Sequence, residues 1–256
     1  MQINVEKMCS VCKRREAFFF RPYSGEKLCR RCFVNSIERK VRATIAKYNM
    51  LTFDDRIAVA VSGGKDSLSL LHVLTKIEQE YPQSSIVAVS VDEGIKGYRD
   101  EALELAALNC EKLGIEHHVI SFKELYGCTL DEMVEVLRTK NDVLTPCAYC
   151  GVLRRKALNI IARKVKATKL ALAHTLDDEV QTVMLNILHG DVMRIAREKP
   201  VTDEAEKFVK RIKPFCEIPE KESTLYAYVK GIKFQSIPCP YASEAMRNDI
   251  RVFLNR

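Results

Sequence analysis

The stretch Ile57-Ala-Val-Ala-Val-Ser-Gly-Gly-Lys-Asp-Ser67 constrains the fold more than any other. An apolar run stops at Ser62, two glycines follow, and Lys65, Asp66 and Ser67 lead into an amphipathic segment from Leu68. That order reads as a buried parallel strand, a tight turn and a helix start. Glycine lets the backbone approach an anion closely, and a helix N-terminus offers free N–H groups and the positive end of its dipole. The stretch is therefore read as a phosphate cradle. It lacks the four residues between glycines of the nucleoside-triphosphatase P-loop, and the three spaced glycines of the dinucleotide fingerprint.

A chain of 256 residues has room for one α/β domain with an appendage, and 47% hydrophobic residues suffice for a core. The net charge of +7 permits a polyanionic partner without demanding one. No apolar run has transmembrane length and no signal peptide is evident, so the expected location is cytoplasmic, away from membranes. In that setting ten cysteines point to metals or redox chemistry rather than to structural disulfides.

Residues 1–35 read as a zinc-finger module. Cys9-Ser-Val-Cys12 and Cys29-Arg-Arg-Cys32 have the spacing of a four-thiolate zinc site, with a short hairpin between them around Tyr23-Ser-Gly-Glu26. A rubredoxin-like iron site is the alternative. Lys13, Arg14, Arg15, Arg30 and Arg31 either grip RNA or form a solvated face. Residues 36–54 read as a helical connector, and 55–256 as the α/β domain. Within it, strands are expected at 57–61, 86–91, 117–121 and 169–173. Helices are expected from about 67 to 80, over 98–113, 123–144 and 147–166, from 178, from 219 to 229, and at the C-terminus with Arg247, Arg251 and Arg256. Residues 195–211 read as a charged loop or short helix. His117 and His118 alternate across a strand, so they are not expected to share a metal.

Ligands in open parallel sheets sit at the carboxyl ends of the strands. Asp92 is thereby placed near the cradle, either toward a nucleotide or simply as the Asp of a turn before Gly94. Asp177 and Asp178 follow the strand at 169–173, as magnesium ligands or as helix-capping acids. Cys147 and Cys150 open a helix whose first turns carry Arg154, Arg155 and Lys156; dipole and cations favour thiolate there. Cys239 is pinned between two prolines and is the third ligand candidate, with Cys216 as its rival. Three cysteines leave one coordination position open. Cys110 and Cys128 read as ordinary buried residues.

Ser62-Gly-Gly-Lys-Asp-Ser67, after its hydrophobic strand, resembles the PP-loop of ATP pyrophosphatases. Pro146-Cys-Ala-Tyr-Cys-Gly151, His174-Thr-Leu-Asp-Asp-Glu179, Ile237-Pro-Cys-Pro-Tyr241 and the N-terminal cysteine pairs complete a pattern similar to the tRNA 2-thiouridine synthetases over essentially the whole chain. The resemblance implies a parallel-sheet α/β PP-loop domain of the adenine nucleotide alpha hydrolase-like kind, with an N-terminal four-cysteine zinc finger. It implies that ATP and Mg²⁺ adenylate the C2 oxygen of a tRNA uridine, which sulfur then replaces. Val61, Ser62, Gly63, Gly64, Lys65, Asp66 and Ser67 would bind ATP phosphates, and Asp92 and Ala173 would flank the nucleotide. Arg154 would contact ATP, and Asp178 would be the essential acid. Cys147, Cys150 and Cys239 would hold a 4Fe-4S cluster, and Cys9, Cys12, Cys29 and Cys32 a Zn²⁺ ion. Lys65, Asp178, Cys147 and Cys150 carry the catalysis in this reading. Asn186-Ile-Leu-His-Gly-Asp191 lies nearer the wobble-uridine branch, with His189 where those relatives have Arg; the alternative is the T-loop uridine 54. A persulfide relay at Cys147 and Cys150 is the cluster-free alternative. A non-catalytic zinc-finger RNA-binding protein is the alternative of another class. Expected partners are tRNA, a second copy of the chain, and a sulfur donor, either sulfide or a ubiquitin-like thiocarboxylate carrier.

Overall fold

The computed structural model describes residues 7–139, 145–202, 207–244 and 246–254. Strands β1 (Phe19–Arg21) and β2 (Glu26–Leu28) form the expected hairpin, with Phe19 opposite Leu28. Helix α1 (Arg30–Lys47) starts directly after Cys29 and runs across the expected boundary at residue 35. Its reason is in the sequence: Phe33, Ile37 and Val41 are buried at helical spacing that begins before residue 36.

A second unit follows in β/α alternation. Its elements are β3 (Arg56–Ala60), α2 (Lys65–Glu78), β4 (Ser85–Asp92), α3 (Arg99–Leu113) and β5 (His117–Ser121). Then come α4 (Phe122–Tyr126), α5 (Leu130–Thr139), α6 (Pro146–Lys164), β6 (Lys169–Ala171), α7 (Leu176–Leu188) and α8 (Val192–Arg197). Strand β7 (Lys210–Ile212) and helices α9 (Glu220–Lys230) and α10 (Met246–Leu254) complete it. The sheet is parallel, with order β5-β4-β3-β6-β7. Side chains of β3 alternate between two cores. Ile57, Val59 and Val61 pack toward α1, α2 and α9, whereas Ala58 and Ala60 pack toward α5 and α6. Burial on both faces is why the strand reads as a continuous apolar run.

Strand order reverses between β3 and β6, the switch point where such sheets open a ligand crevice. Both chemistry-bearing turns, after β3 and after β6, leave the sheet there.

Three sequence readings change. The charged stretch 195–211 ends in an edge strand, β7, too short to register as an apolar run; residues 203–206 lie outside the described residues. The single helix over 123–144 is two helices, because Gly127 turns the chain at φ +77°; residues 140–144 lie outside the described residues. The strand at 169–173 stops at Ala171, and α7 begins at Leu176, two residues early, because Thr175 caps it. Arg256 also lies outside the described residues. His117 bonds Ser90 Oγ at 2.8 Å, whereas His118 faces Glu116 at 2.9 Å, so the two histidines diverge as expected.

One buried ion pair fastens the N-terminal module to the sheet domain. Arg21 donates twice to Glu222 of α9, at 3.0 and 2.9 Å, and Tyr23 donates to the same carboxylate at 2.7 Å. Both charged groups are almost wholly buried. Removing one partner leaves the other charge uncompensated, so Glu222→Ala should cost about 3–5 kcal/mol in urea unfolding. Arg21→Met combined with Glu222→Leu should recover most of that loss; a double variant no more stable than Glu222→Ala would contradict it.

Candidate functional site

The loop after β3 is held by its own hydroxyls. Ser62 N–H donates to Ser67 Oγ at 3.0 Å, the two hydroxyls lie 3.0 Å apart, and Ser67 Oγ donates to Gly64 carbonyl at 3.0 Å. Val61 N–H bonds Val89 carbonyl at 2.8 Å, extending the ladder one residue beyond β3. Gly63 has φ +85°, and a Cβ there would lie 2.2 Å from Ala102 carbonyl oxygen. No other residue fits without moving α3. Gly64 caps α2, and Lys65 is that helix's first residue. Gln235 N–H donates to Gly63 carbonyl at 3.0 Å from across the chain.

Lys65 Nζ reaches two carboxylates, Asp66 at 2.6 Å and Glu220 at 2.8 Å. Arg251 also holds Glu220, at 3.0 Å. Burial works against the Lys65 charge, but Asp66 and Glu220 outweigh it and raise its pKa. Burial raises the Asp66 pKa despite Lys65, and Asp66 Oδ1 is buried with no hydrogen-bond partner.

Asp92 ends β4 and Ala173 follows β6, so they stand on either side of the β3 loop, since β4 and β6 are the neighbours of β3. Asp92 Oδ1 accepts from Gly94 N–H at 2.8 Å, the Asx turn of the bland reading. The acids after β6 are caps in the first instance. Thr175 and Asp178 form a capping box, and Asp177 accepts from Glu220 N–H at 2.6 Å, joining α7 to α9. Asp178 Oδ1 remains toward the cavity, 3.5 Å from Arg247.

Pro146 is the first residue of α6, which sets Cys147 and Cys150 in the opening turn. Cys147, Cys150 and Cys239 line one cavity of about 290 Å³ together with Arg154, Asp178 and Asp66. Lys65 therefore lies one residue from that wall, and the cysteines share a space with the end of the phosphate loop. Cys216 packs in the opposite core and does not line the cavity. Cys110 is buried, as expected. Cys128 is only half-buried, its thiol directed at Tyr126 carbonyl. Thiolate is not favoured at Cys147 and Cys150, contrary to the sequence reading. Burial pushes both thiols up; Arg154 opposes this, donating to Cys150 Sγ at 3.4 Å, without reversing it. A dipole at the helix start is a weaker influence than desolvation.

Cys9, Cys12, Cys29 and Cys32 bring their sulfurs within 4.8 Å of one another. Burial raises the Cys9 pKa, but N–H groups of Cys12, Cys29 and Val11 outweigh it and bring it down to about 6, whereas burial and the neighbouring thiols push Cys32 to about 12. Arg15, Arg30 and Arg31 line a groove beside Phe18, with Arg30 stacked 5.9 Å over its ring; Lys13 and Arg14 are exposed.

Four residues of the site escape sequence reasoning: Glu93, Arg99, Glu220 and Gln235. Arg99 is buried and donates to Ser62 carbonyl at 2.7 Å; Glu93 is buried beside it. A charged pair inside Asp92-Glu-Gly-Ile-Lys-Gly-Tyr-Arg99 has no periodicity to reveal it, and the two glycines mark only turns.

A model of the family described as PP-loop domain matches residues 34–256. A protein of Chlamydomonas reinhardtii named cytoplasmic tRNA 2-thiolation protein 1 is 41% identical over 249 residues, covering 97% of this chain and 69% of that protein. Its namesake in Saccharomyces cerevisiae strain S288c is 37% identical over 255 residues, covering 99% and 70%. Among solved structures, the U34-tRNA thiolase NcsA from Methanococcus maripaludis, described with its 4Fe-4S cluster, aligns with a TM-score of 0.86 at 36% identity. It covers 97% of this chain and 80% of the other.

His174 lies in the turn between β6 and α7. Burial lowers its pKa to about 4; Asp178 opposes this, while Lys213 and Arg247 add to it. The unfolded chain takes up the proton near pH 6.5 and the folded chain only near 4, so stability should fall as pH drops through that window. Arg247→Gln removes a repelling charge and should raise the His174 pKa in an NMR titration; an unchanged or lower value would contradict the assignment.

Proposed function

The chain belongs to the PP-loop domain family and, within it, to the tRNA 2-thiolation proteins, and we propose that it is an ATP-dependent tRNA sulfurtransferase acting on the wobble uridine. One observation carries the reading: the end of a phosphate loop and three cysteines open into one cavity. A generic adenylating enzyme needs the first and has no use for the second. The non-catalytic alternative leaves the intact loop without a task. Location in the cytoplasm follows the names of the relatives.

The residues present fit the groups the family implies. The four N-terminal thiols converge closely enough for one tetrahedral ion, and zinc is the proposed metal. Its binding would expel the proton that burial keeps on Cys32. Cys147, Cys150 and Cys239 offer soft sulfur donors around one cavity of about 290 Å³, which suits a cluster larger than one ion. These three cysteines would hold a 4Fe-4S cluster, which would supply a site for a sulfur nucleophile. Asp66 Oδ1, buried and unpartnered, offers a hard oxygen that suits Mg²⁺ at the ATP phosphates.

Residues 61–67 hold the phosphates through backbone N–H groups and the start of α2. Lys65 leaves Glu220 for the phosphates, and Asp92 and Ala173 flank the nucleoside. Arg154 faces the cavity from the side of Cys150. The uridine C2 oxygen attacks the α-phosphorus, pyrophosphate leaves, and the N3 proton passes to Asp178. The C2 oxygen, a poor leaving group before, departs as AMP when sulfur attacks C2, and N3 regains its proton. The sulfur arrives as sulfide, or as a carrier thiocarboxylate whose acyl–sulfur bond water then breaks to release the carrier carboxylate. A second copy of the chain completes the proposed assembly.

Anaerobic protein given ATP, sulfide and tRNA should yield 2-thiouridine in the anticodon fragment, with one AMP per thiolation. Asp178→Asn should slow this by about 10²–10⁴-fold, the range for losing a general base. Thiolation in the T-loop fragment would redirect the substrate assignment, and ATP-independent thiolation would refute the adenylation step.

A further inference from the structure

Glu93 stands between two arginines that reach in opposite directions. Its Oε2 lies 3.0 Å from Arg99 Nε, and its Oε1 lies 3.5 Å from Arg154 Nε. Arg99 continues to the phosphate loop, donating to Ser62 carbonyl at 2.7 Å, and to the end of β4, donating to Val91 carbonyl at 2.8 Å. Arg154 continues to the sulfur side, donating to Cys150 Sγ at 3.4 Å. The contacts run unbroken from Ser62 through Arg99, Glu93 and Arg154 to Cys150.

Folding alone explains only half of this. Glu93 and Arg99 are each 5% exposed, and a buried charge requires a partner. Arg99 already satisfies that requirement. Arg154 has a side chain 48% exposed and needs no ion pair to be stable, yet the second oxygen of Glu93 is turned toward it. The backbone of Glu93 is fixed as well, because its carbonyl accepts from Leu130 N–H at 2.8 Å and Leu130 lines the cavity. The carboxylate thus has a fixed origin and two directed contacts.

We propose that Glu93 is a positioning residue shared by both halves of the site: through Arg99 it fixes the phosphate loop, and through Arg154 it fixes a guanidinium against Cys150. It touches neither phosphate nor sulfur. Its effect is to keep the two reacting regions in one register, where small displacements are expensive for a reaction between them. The assignment rests on the thiolase reading only in taking the two halves to serve one reaction.

The test uses the full anaerobic chain and two readouts that a merely structural role would not move together. One is affinity for the non-cleavable ATP analogue α,β-methylene-ATP. The other is the electron paramagnetic resonance spectrum of the reduced cluster. Glu93→Gln should weaken the analogue about tenfold, the scale of one lost charged contact, and should alter the spectrum. Arg99→Lys should weaken the analogue only. Glu93→Asp keeps the charge beside Arg99 but shortens the reach to Arg154, so it should alter the spectrum. It also carries the test if Glu93→Gln fails to fold. A folded Glu93→Gln that moves at most one readout, or a Glu93→Asp with an unchanged spectrum, would overturn the proposal. A wild-type chain without iron would refute the cluster-dependent form of the thiolase reading instead. Iodoacetamide labelling of Cys150 relative to Cys147 then replaces the spectrum, with a changed ratio expected in both Glu93 variants and an unchanged ratio overturning the proposal.

Discussion

Gly63 has no room for a side chain, and the rest of the site is arranged around that close approach. Ala102 carbonyl oxygen occupies the space a Cβ needs, so the loop backbone lies directly on α3. The contact fixes where β3 ends and α2 begins. Lys65 then projects from a helix start with a set direction, toward Asp66 and Glu220. Arg99 stands near the start of α3, the same helix, and clasps the carbonyl of Ser62. Glycine supplies the geometry and arginine the fastening.

Buried charge recurs through the molecule and does different work in each place. The Arg21–Glu222 pair secures the N-terminal module to α9, and the first residue of that helix, Glu220, holds Lys65. A path of packed elements therefore joins the four-cysteine module to the phosphate loop. Two carboxylates, Asp66 and Glu220, pair with Lys65 at the start of α2. Desolvation is the common price of these arrangements, and the same desolvation raises the pKa of the Cys147 and Cys150 thiols.

Much of the fold was legible because it rests on local patterns. The apolar run before Ser62, the paired cysteines at 9, 12, 29 and 32, and the helical spacing of Phe33, Ile37 and Val41 each declare a single element. The candidate site was legible where chemistry follows a strand end, as at Ser62–Ser67 and His174–Glu179. What escaped has no local pattern. Strand β7 is three residues at a sheet edge, and Gln235 meets Gly63 only through the fold. Glu93 and Arg99 look like surface charges in a turn, and their burial depends on where β4 and α3 converge. At Cys147 and Cys150 the dipole and cations are visible in sequence, whereas the depth of burial that raises both thiols is not.

The central claim is that Cys147, Cys150 and Cys239 form one iron-binding set beside the phosphate loop. Iron and acid-labile sulfide, measured in anaerobically purified wild-type chain and in Cys239→Ala, address it most directly. The account predicts about four of each per wild-type chain. In Cys239→Ala it predicts a sharp fall in both, with the metal of the four N-terminal cysteines retained. Iron content unchanged by the substitution would contradict it.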